Sequence, residues 1–262
     1  MERVSYHKHL PRKFHAYNIG TGKSGTHSIS GIFQSNYRAA HEPEHYLFIQ
    51  WLLENNISYY SEIGEAYVRQ RDNELNLELE ASGLLSFLVK ALVKTFPQAK
   101  FILTIRDCYS WLDSCINHQL NARRTQEVNF WWEYRDFCFR PALFEHCSQA
   151  SVLADYNLYP LEGYLWHWQQ INESILRGVP SENLLIVRTA DIANSIERIA
   201  DFLAIPLATL NPSASHLFKA KKKFYLMREI DRSFLDEKVS LYCKQIMDQY
   251  FPNIKELEDA LS

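Results

Sequence analysis

The hydrophobic and polar positions of this chain fall into blocks that predict strands followed by helices. Residues 14–19 (FHAYNI) form a short apolar run that breaks into the turn GTGKSGT, and SISGIFQSN then has the spacing of a first helical turn. Residues 100–105 (KFILTI) have the continuous apolar character of a buried strand, and RDCYSWLDSCINHQL follows with helical spacing. Each of the two blocks is therefore predicted to be a strand, a turn and a helix.

The rest of the pattern adds elements of both kinds. It predicts helices over residues 42–54, 84–95, 191–203 and 233–250, and strands near 75–80 and over 183–188. Strands that alternate with helices favour an α/β fold, a three-layer α/β/α arrangement with a central, mainly parallel sheet and a P-loop-like nucleotide-binding turn. We find no internal repeat or low-complexity linker, so residues 1–262 are predicted to form a single domain with a helical, aromatic-rich insert at about 129–178.

Composition narrows the classes of partner. The 262 residues carry 28 Lys and Arg against 31 Asp and Glu, a net charge of −3, which argues against a nucleic acid or an anionic membrane as partner. Five scattered cysteines without a CxxC pair argue against a disulfide framework and a zinc site, and favour reduced thiols in the cytoplasm. The polar, basic start and the lack of a long apolar stretch predict neither a secretory signal nor a membrane anchor. Any anion that binds must be held by local groups.

A glycine-rich turn after the first predicted strand is the first candidate for such a group. It reads Gly20-Thr21-Gly22-Lys23-Ser24-Gly25-Thr26-His27-Ser28. Glycines let successive N–H groups converge on one oxyanion, the helix N-terminus adds partial positive charge, and Lys23 adds a full charge. Gly22-Lys23-Ser24 matches the end of the nucleotide-hydrolase pattern G-x-x-x-x-G-K-[ST], but Tyr17 occupies the position of its first glycine. The alternative is a glycine-rich turn without a ligand.

A second candidate follows the strand predicted over residues 100–105. Arg106 ends it, and Ser110, Ser114 and His118 come at spacings of four, which places these three on one helical face. An arginine fork and a serine hydroxyl one or two turns along are a suitable pair for a phosphate. The alternative is a surface ion pair of Arg106 with Asp107.

Together these two motifs resemble the sulfotransferases that use 3′-phosphoadenosine 5′-phosphosulfate (PAPS). The resemblance rests on a strand followed by x-x-K-S-G-T and a later strand followed by Arg106 and Ser114; PQAKFILTIRD and NLLIVRTADI extend it over residues 14–205. It implies that the 5′-phosphosulfate is held by Gly22, Lys23, Ser24, Gly25, Thr26, His27 and Ser28. It also implies that Arg106 and Ser114 bind the 3′-phosphate. Many relatives have Pro where this chain has Gly22 and a second Thr where it has His27.

The resemblance further implies a basic segment that covers the nucleotide. In this chain the basic run consists of Lys219, Lys221, Lys222 and Lys223. Lys221 is accordingly predicted to contact the donor. A solvated run of charge is the alternative.

Sulfuryl transfer to a hydroxyl or amine, with PAPS as donor and 3′,5′-adenosine bisphosphate (PAP) as product, needs positioning and charge stabilisation and is expected to need no metal. Lys23 would neutralise charge on the leaving phosphate. A general base is expected from the cluster Ala40-His41-Glu42-Pro43-Glu44-His45. We favour His41 or Glu42, because Glu44 and His45 are expected to face outward at a helix start; His118 is a further candidate. The alternative is a solvated capping cluster.

The sequence also predicts the kind of acceptor and leaves two rival functions open. The aromatic segments 129–139 and 156–168, with Glu133, Asp136 and Glu162 among them, suit a small-molecule acceptor and allow it to carry positive charge. One rival function is a P-loop small-molecule kinase, which needs a magnesium-binding carboxylate at a strand end, whereas Arg106 and Arg188 stand there. The other is a catalytically silent nucleotide-binding protein of the same fold.

Overall fold

A computed structural model describes residues 10–57, 63–123, 130–216 and 222–261 of the chain. These residues group into two compact units. The sheet unit comprises residues 10–48, 56–57, 63–105 and 174–216, and the helical unit comprises residues 49–55, 106–123, 130–173 and 222–261. The single domain predicted from the sequence stays a prediction.

The described residues form strands and helices in alternation over the first half of the chain. The strands are β1 (Ala16–Ile19), β2 (Ala39–His41), β3 (Leu79–Ala81), β4 (Lys100–Ile105) and β5 (Leu184–Arg188). The helices are α1 (Thr26–Phe33), α2 (His45–Glu54), α3 (Glu65–Leu75), α4 (Val89–Thr95), α5 (Cys108–Arg123), α6 (Phe130–Phe139), α7 (Ser151–Asp155), α8 (Leu161–Gly178), α9 (Ile196–Phe202), α10 (Arg232–Tyr250) and α11 (Leu257–Leu261). Short 3-10 turns lie at Leu84–Leu88, Ser148–Ala150, Ser181–Asn183, Thr189–Asp191, Ala193–Ser195, Leu207–Thr209, Pro212–His216 and Leu226–Glu229.

The sheet has five strands in the order β2-β3-β1-β4-β5, and every neighbouring pair is parallel. β1 lies at the centre, where Tyr17 is opposite Glu80 of β3 on one side and Phe101 of β4 on the other. The chain crosses from one side of β1 to the other between β3 and β4. In parallel sheets this change of direction opens a crevice at the carboxyl ends of the strands, which is where ligands bind.

Both faces of the sheet are covered. On one face, Ala16 and Ile102 pack in a cluster with Ile29 and Phe33 of α1 and with Ile199 of α9, all fully or almost fully buried. Burying one such large apolar side chain stabilises the fold by about 1.5–3 kcal/mol.

Tyr17 and Phe101 lie on the opposite face, with their ring centroids 5.6 Å apart. There the Tyr17 hydroxyl donates to Asp72 Oδ1 of α3 at 3.2 Å. The α/β fold with a central parallel sheet between helices, as predicted from the sequence, is confirmed.

The helical unit holds the aromatic-rich stretch. Its described part consists of α6, α7 and the first part of α8, joined by irregular chain and one 3-10 turn. The rings of Phe139 and Tyr164 lie 4.5 Å apart, and the Tyr164 hydroxyl donates to Gln119 Oε1 of α5 at 2.9 Å. Tyr159 donates to Asp136 Oδ1 at 2.7 Å. Phe139, Tyr159 and Tyr164 thus contribute to the internal packing of this unit.

Several elements differ in their bounds from those predicted above. The helix predicted from residue 42 begins at His45, because Glu42 and Glu44 adopt left-handed φ angles of 47° and 51° around Pro43. The helix predicted over 84–95 begins as a 3-10 turn and becomes α-helical at Val89. The strand predicted near 75–80 covers only Leu79–Ala81, because Leu75 is the last residue of α3. Within the part of the chain that the structure describes, no helix has the length and apolar character required to cross a membrane.

Candidate active site

The turn between β1 and α1 has a backbone shape that requires glycine at two positions. Gly20 has φ 149°, and a Cβ there would lie 2.3 Å from the carbonyl oxygen of Thr104. Gly25, the residue before α1, has φ 104°, and a Cβ there would lie 2.6 Å from Ile192 Cδ1. Both conformations are strained for any residue with a side chain. The scarce glycines of the chain are therefore placed where this turn needs them.

Hydroxyl groups of the sheet unit hold the turn by hydrogen bonds to its backbone. Ser86 Oγ accepts from Gly20 N–H at 3.0 Å and lies 3.0 Å from the Gly20 carbonyl oxygen, to which it donates. Thr189 Oγ1 donates to the carbonyl oxygen of Ser24 at 2.6 Å. Ser24 Oγ donates to the carbonyl oxygen of Thr21 at 2.7 Å and is fully buried. The turn is thus preorganised, and the predicted cofactor ligand Ser24 directs its hydroxyl into the protein.

Lys23 is the cation that the sequence predicts for this turn. Lys23 has a left-handed φ of 70° and is partly buried, and Gly22 beside it is exposed. The hydrogen bonds of α1 begin with Ile29 N–H to the Gly25 carbonyl at 3.2 Å, so the first-turn N–H groups of Thr26, His27 and Ser28 precede the helical ladder. N–H groups at this position, together with the helix dipole, favour an anion.

His41, at the end of β2, lies beside the start of α1. Its Nε2 is 3.1 Å from Thr26 Oγ1, and its ring centroid is 4.7 Å from that of His27. Burial lowers the pKa of His41 to about 4, and the neighbouring His27, His45 and Lys23 act in the same direction. Burial and Lys23 also lower the pKa of His27. Both imidazoles are therefore neutral at pH 7.

Glu42 follows His41 and faces the same edge of the sheet. Its N–H donates to the Ala81 carbonyl of β3 at 3.0 Å, which continues the β2–β3 pairing by one residue. Burial raises the pKa of Glu42, while a hydrogen bond from the Gly83 N–H and the charge of Lys23 oppose that rise. A carboxylate with a raised pKa is a stronger base than an exposed one.

The other two members of this cluster contact protein groups. Glu44 and His45 are partly buried, as are His41 and Glu42, and the expectation that they face outward stays a prediction. Glu44 Oε2 lies 3.9 Å from Arg71 Nη1, and His45 Nδ1 lies 3.3 Å from the carbonyl oxygen of Glu42. Both residues therefore help to shape the turn that presents Glu42.

In the helical unit, Arg106 is held by a short network at the start of α5. Its Nε donates to Ser110 Oγ at 2.9 Å, while the Ser110 hydroxyl donates to Asp107 Oδ2 and the Ser110 N–H donates to Asp107 Oδ1 at 2.8 Å. Trp168 Nε1 donates to the Arg106 carbonyl at 3.0 Å. Burial lowers the pKa of Arg106, and Asp107 and Asp113 oppose that shift. The guanidinium is thus oriented through Ser110.

Positive groups accumulate further along α5. Burial raises the pKa of Asp113, and Lys223, Arg106 and Arg228 oppose that rise, which places three cations around one carboxyl group. Phe224 N–H donates to Asn117 Oδ1 at 2.7 Å and fixes the segment that carries Lys223.

The remaining predicted residues of this unit are less enclosed. Ser114 is partly buried and His118 is exposed. Lys221, predicted to contact the donor, and Lys219 lie outside the described residues.

The structure thus brings the predicted residues together in two groups, one in each unit. In the sheet unit Lys23, His27 and His41 interact with one another, and Lys23 also acts on Glu42; in the helical unit Arg106 lies beside Ser110. Four supporting groups were not predicted from the sequence, namely Gly83, Ser86, Thr189 and Arg71. A Ser-Gly pair directly after a predicted strand is the one signal that was available for Gly83. Among the described residues no cluster of three or more His, Cys, Asp or Glu side chains is arranged for a metal ion.

Known proteins can now be compared with this geometry. Residues 18–213 match the family model described as "Sulfotransferase domain". No curated protein matches the chain. Among solved structures, a sulfotransferase from Mycobacterium avium is similar with a TM-score of 0.54 at 12% identity, over 92% of this chain and 78% of that one. A sulfotransferase from Alicyclobacillus acidocaldarius is similar with a TM-score of 0.50 at 14% identity, over 90% of this chain and 96% of that one. At these identities the two structures show a common fold.

Proposed function

The chain belongs to the sulfotransferase domain family, and from that premise we propose that it transfers the sulfuryl group of PAPS to a hydroxyl or amine of a small acceptor and releases PAP. The observation that carries this proposal is the turn around Lys23, which a strained glycine backbone and buried hydroxyls hold at the carboxyl edge of the sheet, with Glu42 beside it. An anion-binding turn and a base at the same edge are the two requirements of sulfuryl transfer.

Donor binding is the first task of these residues. The N–H groups at the start of α1 and the Lys23 ammonium group are the donors that the sheet unit offers to a phosphosulfate. Because Ser86, Thr189 and Ser24 already fix the turn, little ordering is needed when an anion binds. From the family resemblance we further propose that Arg106 and Ser114 of the helical unit bind the 3′-phosphate, Arg106 through its charged fork.

PAPS supplies an activated sulfuryl group whose bridging S–O bond breaks as the acceptor oxygen or nitrogen forms its bond to sulfur. Glu42 accepts the proton that the acceptor loses. Lys23 stabilises the negative charge that builds up on the departing phosphate oxygen, which its ammonium group neutralises without covalent participation. Atoms and charge balance with sulfated acceptor, PAP and one proton on Glu42 as products.

Glu42 is a better candidate for the base than His41. His41 Nε2 is already 3.1 Å from the Thr26 hydroxyl, and with a pKa of about 4 its imidazole is a weak base. The Glu42 carboxylate has a raised pKa and lies within the field of Lys23. His41 then orients the start of α1, and His118 of α5 is kept as a candidate of lower rank because it is exposed.

The acceptor preference stays a prediction. Glu133 and Asp136 of α6 are exposed, but Arg135 already covers the ring of Trp132 at 4.8 Å. A cationic acceptor held by these carboxylates would bind more weakly to the Glu133→Gln/Asp136→Asn variant. Equal acceptor KM values for this variant and the wild type would remove the cationic option. The cytoplasmic location also stays a prediction.

Calorimetry with PAP, in EDTA and then with magnesium, tests the function, followed by a sulfate-transfer assay with radiolabelled PAPS and a panel of phenols, alcohols and amines. We expect PAP binding in EDTA and label transfer to at least one acceptor. Binding of magnesium-ATP without a response to PAP would favour the kinase instead. Binding of PAP without transfer over the whole panel would favour the catalytically silent protein.

A further inference from the structure

Arg71 of α3 is a buried cation that the proposed chemistry does not use. Its side chain is 4% exposed, and its Nε and Nη2 donate to Glu80 Oε1 of β3 at 2.9 and 2.7 Å. The guanidinium group also lies 4.8 Å from the ring centroid of Phe48. Burying an ion pair is costly, and a well-packed apolar pair of similar size is often at least as stable. Stability alone is therefore a poor reason for this pair.

Two further contacts of Arg71 go to the turn after β2. Arg71 Nη2 donates to the carbonyl oxygen of Pro43, and Nη1 lies 3.9 Å from Glu44 Oε2. One guanidinium group thus connects a strand of the sheet with the backbone of this turn. Its planar array of donors makes this double connection possible, whereas a lysine ammonium group is a single point charge.

The turn needs such a connection because its backbone is strained. Glu42 and Glu44, on either side of Pro43, both have left-handed φ angles, 47° and 51°. Such conformations persist in residues other than glycine only when the surrounding structure holds them. The Ala81 carbonyl holds the turn at Glu42 N–H, and Arg71 holds it at the Pro43 carbonyl.

We propose that Arg71 is a positioning residue that, by fixing the strained turn between Glu42 and Glu44, keeps the Glu42 carboxylate beside Lys23 and the Gly83 N–H for proton removal from the acceptor. The inference rests on the proposed function, since it assigns Arg71 to the same reaction. Arg71 acts on the geometry of Glu42 through the backbone of Pro43. It leaves the turn that binds the donor unchanged, because that turn is held by Ser86 and Thr189.

The test separates turnover from donor binding. The variant Arg71→Met/Glu80→Gln removes the connection without leaving a buried charge alone. The matched control Arg12→Met/Asp72→Asn removes a second ion pair of the same helix, in which Arg12 donates to Asp72 Oδ1 and Oδ2 at 2.8 and 2.9 Å. For each protein, kcat is measured at saturating donor and acceptor, PAP affinity and stoichiometry by calorimetry, and the folded fraction by thermal unfolding.

We expect the Arg71 double variant to lose about 100-fold in kcat, the scale of a misplaced reacting group, with unchanged PAP affinity and stoichiometry. The control should keep its kcat within about twofold, as expected for a change away from the reacting groups. Arg71→Lys should recover part of the loss, since its ammonium group can reach either Glu80 or the Pro43 carbonyl.

Each other outcome has a defined meaning. Equal kcat values for the Arg71 double variant and the control, with both proteins binding PAP, would overturn the inference and leave the proposed function intact. A wild-type protein that neither binds PAP nor transfers sulfate would instead overturn the function. If the double variant does not fold, Arg71→Lys decides: a kcat equal to that of the wild type overturns the inference, and a loss of about tenfold with unchanged PAP affinity supports it.

Discussion

Thr26 Oγ1 and His41 Nε2 lie 3.1 Å apart, so the first residue of α1 is joined to the last residue of β2. The contact engages one of the two ring nitrogens of His41. The charge of Lys23 acts on the carboxylate of the adjacent Glu42 and opposes the rise of its pKa. We therefore expect Glu42 to act as the base and His41 to orient the start of α1.

Glu42→Gln should lower kcat more than His41→Asn does. Removing a general base costs about 10²–10⁴ in rate, whereas the loss of an orienting imidazole acts only through the position of α1. The measurement is kcat at saturating PAPS and acceptor, with PAP affinity as the control for folding. A larger loss for His41→Asn would transfer the role of base to His41.

Lys23→Met should abolish most of the turnover. Its ammonium group is proposed to stabilise the leaving phosphate, and removing one such electrostatic group costs about 10²–10³ in kcat. Lys90→Met, at an exposed lysine of α4 in the same unit, is the matched control and should keep full activity. Equal rates for the two variants would contradict the role of Lys23.

Arg106→Ala should weaken PAP binding with a small effect on kcat at saturation. Hydrogen bonds to charged groups contribute about 1.5–3 kcal/mol, which corresponds to a roughly 10–100-fold increase in Kd. Arg188→Ala is the control, because Arg188 is the last residue of β5 as Arg106 is the first residue after β4, but its side chain is 51% exposed and pairs with Asp191 three residues on. Calorimetry that gives the same Kd for both variants would contradict the assignment of Arg106.

The glycines of the first turn should differ in their tolerance of alanine. Gly20→Ala combines a φ of 149° with a Cβ 2.3 Å from Thr104 O, and we expect it to lower the free energy of unfolding. A strained backbone position of this kind costs about 1–3 kcal/mol. Gly22→Ala meets no atom within 4 Å, so its free energy of unfolding should stay close to that of the wild type. Urea titrations measure both values, and equal midpoints would argue against the shape described for this turn.

The free energy of unfolding should fall as the pH decreases below about 6.5, the ordinary pKa of histidine. Burial lowers the pKa of His41 to about 4 and that of His167 to about 3, so the unfolded chain takes up protons in this range while the folded protein does not. Proton uptake by the unfolded state alone favours unfolding. Urea titrations at pH 7 and pH 5 measure the loss.

His41→Asn and His167→Phe each remove one of these histidines and should reduce the difference between the two pH values. A difference as large as that of the wild type in both variants would show that other groups cause it.

Much of the fold follows from local sequence pattern. The apolar runs of β1, β4 and β5 are followed by glycine, arginine or a turn, and each was predicted as a strand within two residues of its observed bounds. β2 and α3 were missed as elements for opposite reasons. β2 has only three residues, too few for a pattern, while α3 is mostly polar and buries only Val68, Arg71 and Leu75. β2 forms because it pairs with β3, and α3 forms because it packs on the sheet.

Of the candidate site, only the residues proposed to take part in the chemistry could be predicted from the sequence. Lys23 could be chosen because the glycine-rich turn follows a predicted strand, and His41 or Glu42 could be chosen because the sequence places acidic and histidine side chains together at residues 41–45. The residues that support them, Ser86, Thr189 and Arg71, come from distant parts of the chain and carry no local signal. Their roles depend on contacts that only the folded protein makes.

The support of Ser24 by Thr189 has a consequence for synthesis on the ribosome. β1 emerges early, but its partner β4 ends at Ile105, and the Thr189 hydroxyl that bonds the Ser24 carbonyl follows 165 residues after Ser24. A nascent chain that does not yet include Thr189 therefore cannot make this contact with the turn. The contacts of this turn are complete during translation only after β5 and Thr189 have left the exit tunnel.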